Sequence, residues 1–222
     1  MLDNQVKANK AYKGIGMEGV IAKWYAQNTR QGRDFDVLAK RVSEIVPVRG
    51  RVLEVAPGPG FLAIEIAKMG KYPVSGVDIS KTFVEIERAN AKEAGVEIDF
   101  RQGDAASLPF EDASFDFVIC TAAFKNFTRP VQALSEMYRV LRPAGKALVI
   151  DLRRDASRAE INREVEKMGL NRVNTLFTKM AFSQLLKRAY TEQQIQEFLS
   201  EAKIPKSRIQ SGGIGFEIWL EK

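Results

Sequence analysis

The chain has 222 residues, of which 45% are apolar, and carries 34 lysine and arginine residues against 28 aspartate and glutamate residues, a formal charge of +6 at pH 7. This length and composition allow one sizeable hydrophobic core, so we expect a single domain over residues 1–222. The absence of histidine and the single cysteine exclude an internal disulfide, a Ser-His-Asp triad and a protein zinc site, so we expect no metal.

The first 50 residues are predicted to form a helical cap. Phe35, Leu38, Val42 and Ile45 follow the apolar spacing of a helix. The stretch before them, AYKGIGMEGVIAKWYAQNT, carries several aromatic side chains. These aromatic residues could cover a ligand or pack a helix against the edge of a sheet.

The segment RVLEVAPGPG, Arg51–Gly60, predicts a strand that runs into a glycine-rich turn. Val52, Leu53 and Val55 are apolar and β-prone, and the helix-forming stretch FLAIEIAKM follows the turn. Glycine lacks a Cβ, so the backbone can lie close to a ligand, and a helix N-terminus directs unpaired N–H groups towards it. The turn alone is compatible with a nucleotide-like cofactor or with an ordinary connection between a strand and a helix.

Acidic side chains stand at the ends of the next two predicted strands. The four strands predicted after the glycine turn are Tyr72–Ser80, Val96–Ala105, Phe115–Phe124 and Lys146–Leu152. Asp78 ends the first of them about twenty residues after the glycines, where a carboxylate accepts ribose hydroxyls. Asp104 ends the second, where a carboxylate can accept the exocyclic amine of an adenine beside the backbone of Ala105. The strand ends are therefore expected to meet at one crevice.

The segments after the fifth strand are predicted to form a helical insertion, a helix and two strands. Residues 153–190 indicate two helices. Thr191 is suited to cap a helix over EQQIQEFLSEAK, and Gly212-Gly213 is suited to turn a hairpin between the last two strands.

Four segments carry a family resemblance, and in chain order they are VLEVAPGPG, VSGVDIS, RQGDAASLPFEDASFDFVIC and ALSEMYRVLRPAGKALVIDL. Together they resemble the class I S-adenosylmethionine (SAM) dependent methyltransferases. The resemblance is greatest to the small-molecule enzymes related to ubiquinone/menaquinone C-methyltransferases. The resemblance implies an α/β fold. It is a Rossmann-like three-layer sandwich with a seven-stranded, mostly parallel sheet, an antiparallel last strand and helical lid segments. The implied parts are an N-terminal helical cap (1–50), a SAM-binding core (51–152), a helical lid insertion (153–190) and a final helix with strands (191–222).

The resemblance also implies SAM as the methyl donor and S-adenosyl-L-homocysteine as the product. The cofactor-binding residues that it predicts are Glu54, Ala56, Gly58, Gly60, Asp78, Ile79, Asp104, Ala105 and Thr121. Asp78 is expected to take the ribose hydroxyls and Asp104 the adenine. Glu54 is expected to orient the glycine turn or the ammonium of the ligand, and Thr121 to offer its backbone carbonyl to that ammonium.

Two positions depart from the family pattern. Ala56-Pro57 stands where the glycine motif usually has Gly, often followed by Cys, and Ala144 replaces the first glycine of RVLRPGG. Neither changes the glycines or the strand-end carboxylates that carry the resemblance. The methyl group of Ala56 is expected to narrow the space beside the methionine part of the cofactor.

The candidate acceptor-site residues are Lys125, Asn126 and Asp151. Relatives often carry histidines after the fourth strand, where this chain has TAAFKNF, so Lys125 or Asn126 could orient an anionic or carbonyl-bearing acceptor. Exposed lysines are the commoner case, and the sequence favours a solvent-facing Lys125. Asp151 could equally form an ion pair with the neighbouring Arg153 and Arg154. The candidate lid residues implied by the resemblance are Tyr12, Met17, Trp24 and Tyr25.

The function favoured by the sequence is in-line methyl transfer from SAM to a small-molecule acceptor, with catalysis by positioning and exclusion of water. A SAM-binding protein without turnover and a partner subunit of another methyltransferase remain alternatives. A more distant one is an NAD(P)-binding oxidoreductase, because Gly58, Gly60, Ala63 and Asp78 also satisfy the dinucleotide fingerprint.

The basic excess is spread over the flanks of the chain, so we do not expect nucleic acid as a partner. No apolar run of about eighteen residues and no signal-like start are present, which favours a cytoplasmic protein without a membrane span. The acceptor atom and the oligomeric state are open.

Overall fold

The computed structural model describes residues 12–13, 16–29 and 35–222. The parts of the predicted cap at residues 1–11, 14–15 and 30–34 lie outside the described residues. None of the described helices combines the length and the apolar character that a membrane crossing requires.

The described elements alternate between strands and helices over most of the chain. The helices are α1 (Gly19–Thr29), α2 (Phe35–Ile45), α3 (Phe61–Lys68), α4 (Lys81–Glu93), α5 (Pro130–Val140), α6 (Arg158–Lys167), α7 (Arg172–Arg188) and α8 (Glu192–Glu201), with a 3₁₀ turn at Phe124–Asn126. The strands are β1 (Val52–Val55), β2 (Val74–Asp78), β3 (Asp99–Gln102), β4 (Phe115–Thr121), β5 (Leu141–Leu152), β6 (Ser207–Gly212) and β7 (Gly215–Glu221).

Within the described residues, seven strands form one sheet in the order β3-β2-β1-β4-β5-β7-β6. Neighbours from β3 to β5 pair in parallel; Val52 of β1, for example, lies opposite Val74 of β2 and Phe117 of β4. Strand β7 is antiparallel to both β5 and β6. The sheet confirms the predicted fold class, and the strand order reverses at β1 and β4, the place where open α/β sheets bind ligands.

Helices cover both faces of the sheet, because alternate strand residues point to opposite sides. Leu53 and Val118 face a core that includes residues of α5 and α8. Val52 and Phe117 face a second core that includes residues of α2, α3 and α4. The two cores and the sheet between them make the predicted three layers. A smaller cluster packs α6 and α7 together, with Leu186 as the buried residue of α7.

Several predicted boundaries were wrong by a few residues. Strand β3 is shorter than Val96–Ala105, whereas β5 begins at Leu141 rather than Lys146, because Phe115 of β4 pairs with Leu141 across a register shift. The last hairpin turns at Gly213-Ile214 rather than Gly212-Gly213, since Gly212 still pairs with Gly215.

The predicted cap of α8 is confirmed. The side chain of Thr191 accepts a hydrogen bond from the backbone N–H of Gln194, and the Gln194 side chain accepts from the backbone N–H of Thr191. This reciprocal pair satisfies two N–H groups that a helix start otherwise leaves free.

Candidate functional site

A cavity of about 600 Å³ opens at the carboxyl ends of β1, β2, β4 and β5. Its wall includes Glu54, Asp78, Thr121 and Leu152, one from each of these strands or strand ends. A volume of this size suits a small ligand or cofactor. The predicted crevice is therefore present where the strand order reverses.

The glycine-rich turn presents bare backbone to this cavity. Gly58 lines the wall at φ 60°, and a Cβ built there meets no heavy atom of the described residues within 4 Å. Ala56 also lines the wall and adopts φ 56°, a conformation uncommon for a residue with a side chain. Its N–H donates to the Val77 carbonyl at 2.8 Å, which holds the turn against β2.

Gly60 has a different place from the one that the sequence implied. It adopts φ 79° at the start of α3 and is not part of the cavity wall. A Cβ there would lie 3.2 Å from Phe100 and 3.3 Å from Glu87. Gly60 therefore permits close packing of α3 on α4, and its predicted contact with the cofactor stays a prediction.

Glu54 is a buried carboxylate that ties β1 to the following helix. Its Oε2 accepts a hydrogen bond from the N–H of Ala63 at 2.8 Å, in the first turn of α3. The same residue lines the cavity. Its bond to Ala63 fixes the helix that follows the turn, whereas its predicted uses in orienting the turn or the ligand ammonium stay predictions.

Asp78 is buried at the end of β2 and accepts two backbone hydrogen bonds. The N–H of Gly58 lies 3.1 Å from Oδ2, and the N–H of Ser80 lies 2.9 Å from Oδ1. Burial raises the pKa of Asp78 to about 6, and the two N–H donors oppose that shift. The carboxylate lines the cavity, as its predicted role towards a ribose requires.

Asp104 and Ala105 stand at the other end of the same wall, together with Ile79. Oδ1 of Asp104 accepts from the N–H of Ala106 at 2.8 Å, and Oδ2 pairs with the guanidinium of Arg129 at 2.6 Å. The Gly103 N–H donates to the Asp78 carbonyl at 2.9 Å. The two predicted strand-end acids are thus brought to one wall. Their partner Arg129 was missed, because it is distant in sequence and belongs to no motif.

The expectation of a solvent-facing Lys125 was wrong. Its side chain is buried in the 3₁₀ turn after β4, where Nζ donates to the Ala122 carbonyl and lies 3.0 Å from Oδ1 of Asp151. The Asp151 carboxylate also accepts from the backbone N–H groups of Lys125 and Leu152, each at 2.7 Å. Lys125 and Asn126 line the cavity, whereas Asp151 holds Lys125 from behind.

The proposed pairing of Asp151 with Arg153 and Arg154 was also wrong. Arg153 pairs with Glu160 at 2.5 Å, and Arg154 donates to the Gln194 side chain at 2.8 Å. Both arginines follow the last residue of β5, so they turn towards α6 and α8. Asp151 lies inside the strand and turns towards the 3₁₀ turn instead.

Part of the predicted cap closes over the cavity and is anchored to α4. Ser80 Oγ donates to the Met17 carbonyl at 2.5 Å. The Glu18 carboxylate accepts from the N–H groups of Lys81 and Thr82 at 3.0 and 3.1 Å. Tyr12 forms an isolated antiparallel bridge with Phe127 beyond β4. These contacts hold the segment across the strand ends.

All four candidate lid residues line the cavity: Tyr12, Met17, Trp24 and Tyr25. Tyr25 packs edge to face on Phe83, with ring centroids 5.9 Å apart. Trp24 is 62% exposed. Other wall residues were not predicted from the sequence to face a ligand: Phe35, Phe61, Phe182, Leu185 and Arg188. The last three lie on α7, whose segment was predicted as a lid without any signal that chose its individual residues.

Comparison with known proteins places this core among methyltransferases. Residues 53–149 match the family model described as "Methyltransferase domain". The chain is 39% identical over 108 residues to a demethylmenaquinone methyltransferase of Deinococcus radiodurans, covering 48% of this chain and 45% of the relative. It is 40% identical over 102 residues to a ubiquinone/menaquinone biosynthesis C-methyltransferase of Bdellovibrio bacteriovorus, covering 46% and 43%. The matched part spans less than half the length of each of these curated relatives.

The fold extends the likeness beyond that core. A crystal structure of a candidate SAM-dependent methyltransferase from Methanococcus maripaludis superposes with a TM-score of 0.73 at 22% identity, over 95% of each chain. At this identity the likeness concerns the fold. Together with the sequence matches, it confirms the resemblance drawn from the glycine turn and the strand-end acids. Residues 53–149 are therefore similar in sequence to methyltransferase domains, and the chain shares the fold of a SAM-dependent methyltransferase.

Proposed function

We propose that the protein transfers a methyl group from SAM to a small, largely apolar acceptor. One observation carries the proposal. A single cavity joins the glycine turn and two strand-end carboxylates to a buried lysine and a wall of aromatic side chains. The carboxylate side suits the donor, and the lysine side suits the acceptor.

The donor is assigned to the wall made by β1, β2 and β3. Asp78 would accept the ribose hydroxyls, which requires its ionised form. Asp104 would accept the adenine amine, with Ala105 and Ile79 beside the ring. Bound SAM would supply an electrophilic methyl group on a sulfonium sulfur.

The methionine end of the donor is assigned to the ends of β1 and β4. The backbone of Ala56 and Gly58 allows close approach, and the Thr121 carbonyl would accept from the ammonium. Glu54 supports this end by holding the start of α3 through Ala63. The absence of side-chain bulk at Gly58 supports this placement.

The acceptor is assigned to the space between the 3₁₀ turn and the two lid helices, α1 and α7. Two relatives are named for quinone precursors, and an aromatic ring bearing oxygen fits a wall of Phe127, Phe182 and Tyr25. The Lys125 ammonium has three N–H bonds. Within the described residues, two of them donate to the Ala122 carbonyl and to Oδ1 of Asp151. The third would stabilise an acceptor oxygen as an oxyanion.

The chain contributes positioning more than proton transfer in this proposal. In-line displacement needs the acceptor atom, the methyl carbon and the sulfur in one line and needs water excluded. Asp151 fixes Lys125, and the anchored cap closes the donor side. No described residue has to act as a strong base for an acceptor that arrives as its anion.

Calorimetry with S-adenosylhomocysteine tests the donor assignment. We expect Asp78→Asn to weaken binding by roughly ten- to hundredfold, since a hydrogen bond to a charged group contributes about 1.5–3 kcal/mol. The matched control is Asp99→Asn, which removes an exposed carboxylate from the amino end of β3 and should leave the affinity unchanged. Equal affinity in Asp78→Asn and the wild type would refute the ribose assignment.

Turnover is tested separately, by following S-adenosylhomocysteine release from SAM with a panel of reduced quinones and phenols. Binding of S-adenosylhomocysteine without release in any acceptor reaction would favour the SAM-binding protein or partner-subunit alternative. Tighter binding of NADH than of S-adenosylhomocysteine would favour the oxidoreductase.

A further inference from the structure

The two lid helices expose large apolar side chains to solvent, and three of these side chains also line the cavity. On α1 the exposed apolar side chains are Val20, Ile21 and Trp24, and on α7 they are Leu176, Phe177, Met180 and Leu185, each 40% exposed or more. We call these seven side chains the lid face. Apolar side chains scattered singly are normal on a protein surface, but a group on two neighbouring lid helices indicates a binding surface.

Helix α7 has two different sides. Leu186 is buried, and Phe182 is half-buried against the cluster that joins α6 to α7. Leu176 and Met180, four residues apart, share a face on the exposed side, with Phe177 next to them. The exposed apolar side is therefore not the side that holds the helix on the protein.

The two lid helices carry basic side chains and no acidic ones, although Glu18 stands directly before α1. The sequence from Met168 to Tyr190 holds Arg172, Lys179, Lys187 and Arg188 and no aspartate or glutamate. Helix α1 carries Lys23 and no acid. In the SAM-binding core, by contrast, basic and acidic side chains nearly balance. Basic residues together with exposed Trp, Phe and Leu side chains complement the interface of an anionic bilayer.

The lid face is continuous with the cavity. Ile21, Trp24 and Leu185 belong to the exposed set and also line the cavity wall. A surface that covers the lid face would therefore meet the opening through which an acceptor enters. Trp24 lies at the rim, and tryptophan is enriched at the headgroup level of membranes.

We propose that α1 and α7 dock the protein on an anionic phospholipid surface, with the cavity mouth facing the lipid. Lipid headgroups of negative charge complement the acid-free helices, and the acyl boundary takes the apolar side chains. A second copy of the chain placed on the same face would bring like charges together. The docking is independent of the donor assignment, but its use, direct entry of a lipophilic acceptor, rests on the proposed function.

Vesicle binding tests the proposal, and Trp24 provides the signal. Large vesicles containing phosphatidylglycerol should shift Trp24 emission to shorter wavelength and carry the protein down on sedimentation. Pure phosphatidylcholine vesicles should do so much less, and added salt should weaken the binding. The other tryptophan, Trp219, is 8% exposed, so its fluorescence should not change when vesicles are added. The Trp24→Phe variant measures the emission of Trp219 alone.

Single variants connect the binding to the lid face. Phe177→Ser and Met180→Ser should each weaken partitioning by about tenfold, because each removes an apolar side chain from the contact. The control is Val48→Ser, equally exposed but in the loop before β1, at the end of the sheet opposite the cavity. Neither test residue lines the cavity, so S-adenosylhomocysteine affinity should stay unchanged.

Three results would overturn the proposal. They are wild-type binding no tighter to phosphatidylglycerol than to phosphatidylcholine, an unchanged Phe177→Ser variant, and lipid-free self-association that Phe177→Ser abolishes in light scattering. The last would assign the face to a second copy. A protein that binds S-adenosylhomocysteine but not vesicles would overturn the docking proposal alone. A protein that binds vesicles but not S-adenosylhomocysteine would overturn the donor assignment alone.

Discussion

The two sides of the cavity are built by different means. On the donor side, Asp78 and Glu54 are buried at strand ends and fixed by backbone N–H donors. On the lid side, Trp24 and Leu185 belong to helices whose outer faces are exposed. The donor side is therefore fixed by hydrogen bonds to buried carboxylates, whereas the lid side consists of helices that expose apolar side chains.

The two sides also have different energetic costs. Burying a carboxylate costs free energy unless hydrogen bonds offset it, and here the cost is visible in raised pKa values. Exposing apolar side chains costs little folding energy but invites association. If the free-energy costs concentrate on the donor side and at its junction with the lid, substitutions there should change stability and binding most.

The largest effect is expected at Lys125, where the two sides meet. Lys125→Met leaves Asp151 charged and buried without its cation, which should lower the free energy of unfolding by roughly 3 kcal/mol. The double variant Lys125→Met/Asp151→Asn removes both charges and should recover most of the loss. Urea denaturation of the wild type and the variants measures both values.

A Lys125→Met protein as stable as the wild type would contradict the expected free-energy cost at the junction of the two sides. It would mean that the Lys125 ammonium contributes nothing to holding the turn and that Asp151 is satisfied by its two backbone donors alone.

The second effect concerns Glu87, a buried acid on α4 behind Gly60. Within the described residues neither carboxyl oxygen has a hydrogen-bond partner, and burial, followed by the charges of Asp78 and Glu54, raises the pKa of Glu87 to about 10. A folded-state pKa above the ordinary 4.5 gives stability that is lost as pH rises towards 10. Glu87→Gln should therefore gain about 1.4 kcal/mol relative to wild type for each pH unit between 6 and 8.

Thermal unfolding at a series of pH values measures this gain. The matched control is Glu85→Gln, on the exposed side of the same helix, which should show no pH-dependent advantage. A constant difference between Glu87→Gln and wild type across the range would contradict a neutral, buried Glu87.

The smallest of the three effects concerns the pH dependence of cofactor binding. The proposed contact with the ribose hydroxyls requires an ionised Asp78, and burial raises the pKa of Asp78 to about 6. At pH 5 about nine-tenths of it is protonated, so the affinity for S-adenosylhomocysteine should fall about tenfold between pH 7.5 and pH 5.

In the unliganded protein, the stability contributed by Asp78 changes with pH in the direction opposite to the affinity. Because the folded pKa of Asp78 lies above its ordinary 3.8, its contribution to stability is greatest at low pH and is lost as pH rises through 6.

The control for the affinity prediction is Asp78→Asn, whose affinity for S-adenosylhomocysteine should be the same at pH 7.5 and pH 5 by calorimetry. A wild-type affinity that is equally flat would separate the carboxylate from the ribose.

The donor side could be predicted largely from sequence, because its signals are local. An apolar strand, a glycine turn and an acid at the next strand end are read within about thirty residues, the length of one βαβ unit. The lid side could not, because its contacts depend on how distant segments meet. Leu185 and Arg188 reach the cavity only through the packing of α7 on α6.

Lys125 shows most clearly what local sequence patterns cannot predict. As an isolated lysine in a loop it is expected to face solvent, and only the pairing of β4 with β5 places Asp151 within 3.0 Å of its ammonium. Glu87 escaped notice for the same reason. Its helix is amphipathic, and nothing in the local pattern shows that the Glu87 side chain is fully buried beside Gly60.

By itself the sequence determined the fold class, the resemblance to methyltransferases and the glycine turn and strand-end acids that line the cavity. Alternating apolar strands and helices, glycines and strand-end carboxylates act over short distances and leave a periodic record. Tertiary structure alone decided that Lys125 is buried and paired, that Gly60 serves packing, and that the lid helices turn apolar, basic faces outward. These properties depend on which distant residues enclose a side chain, and burial of that kind leaves no local pattern to read.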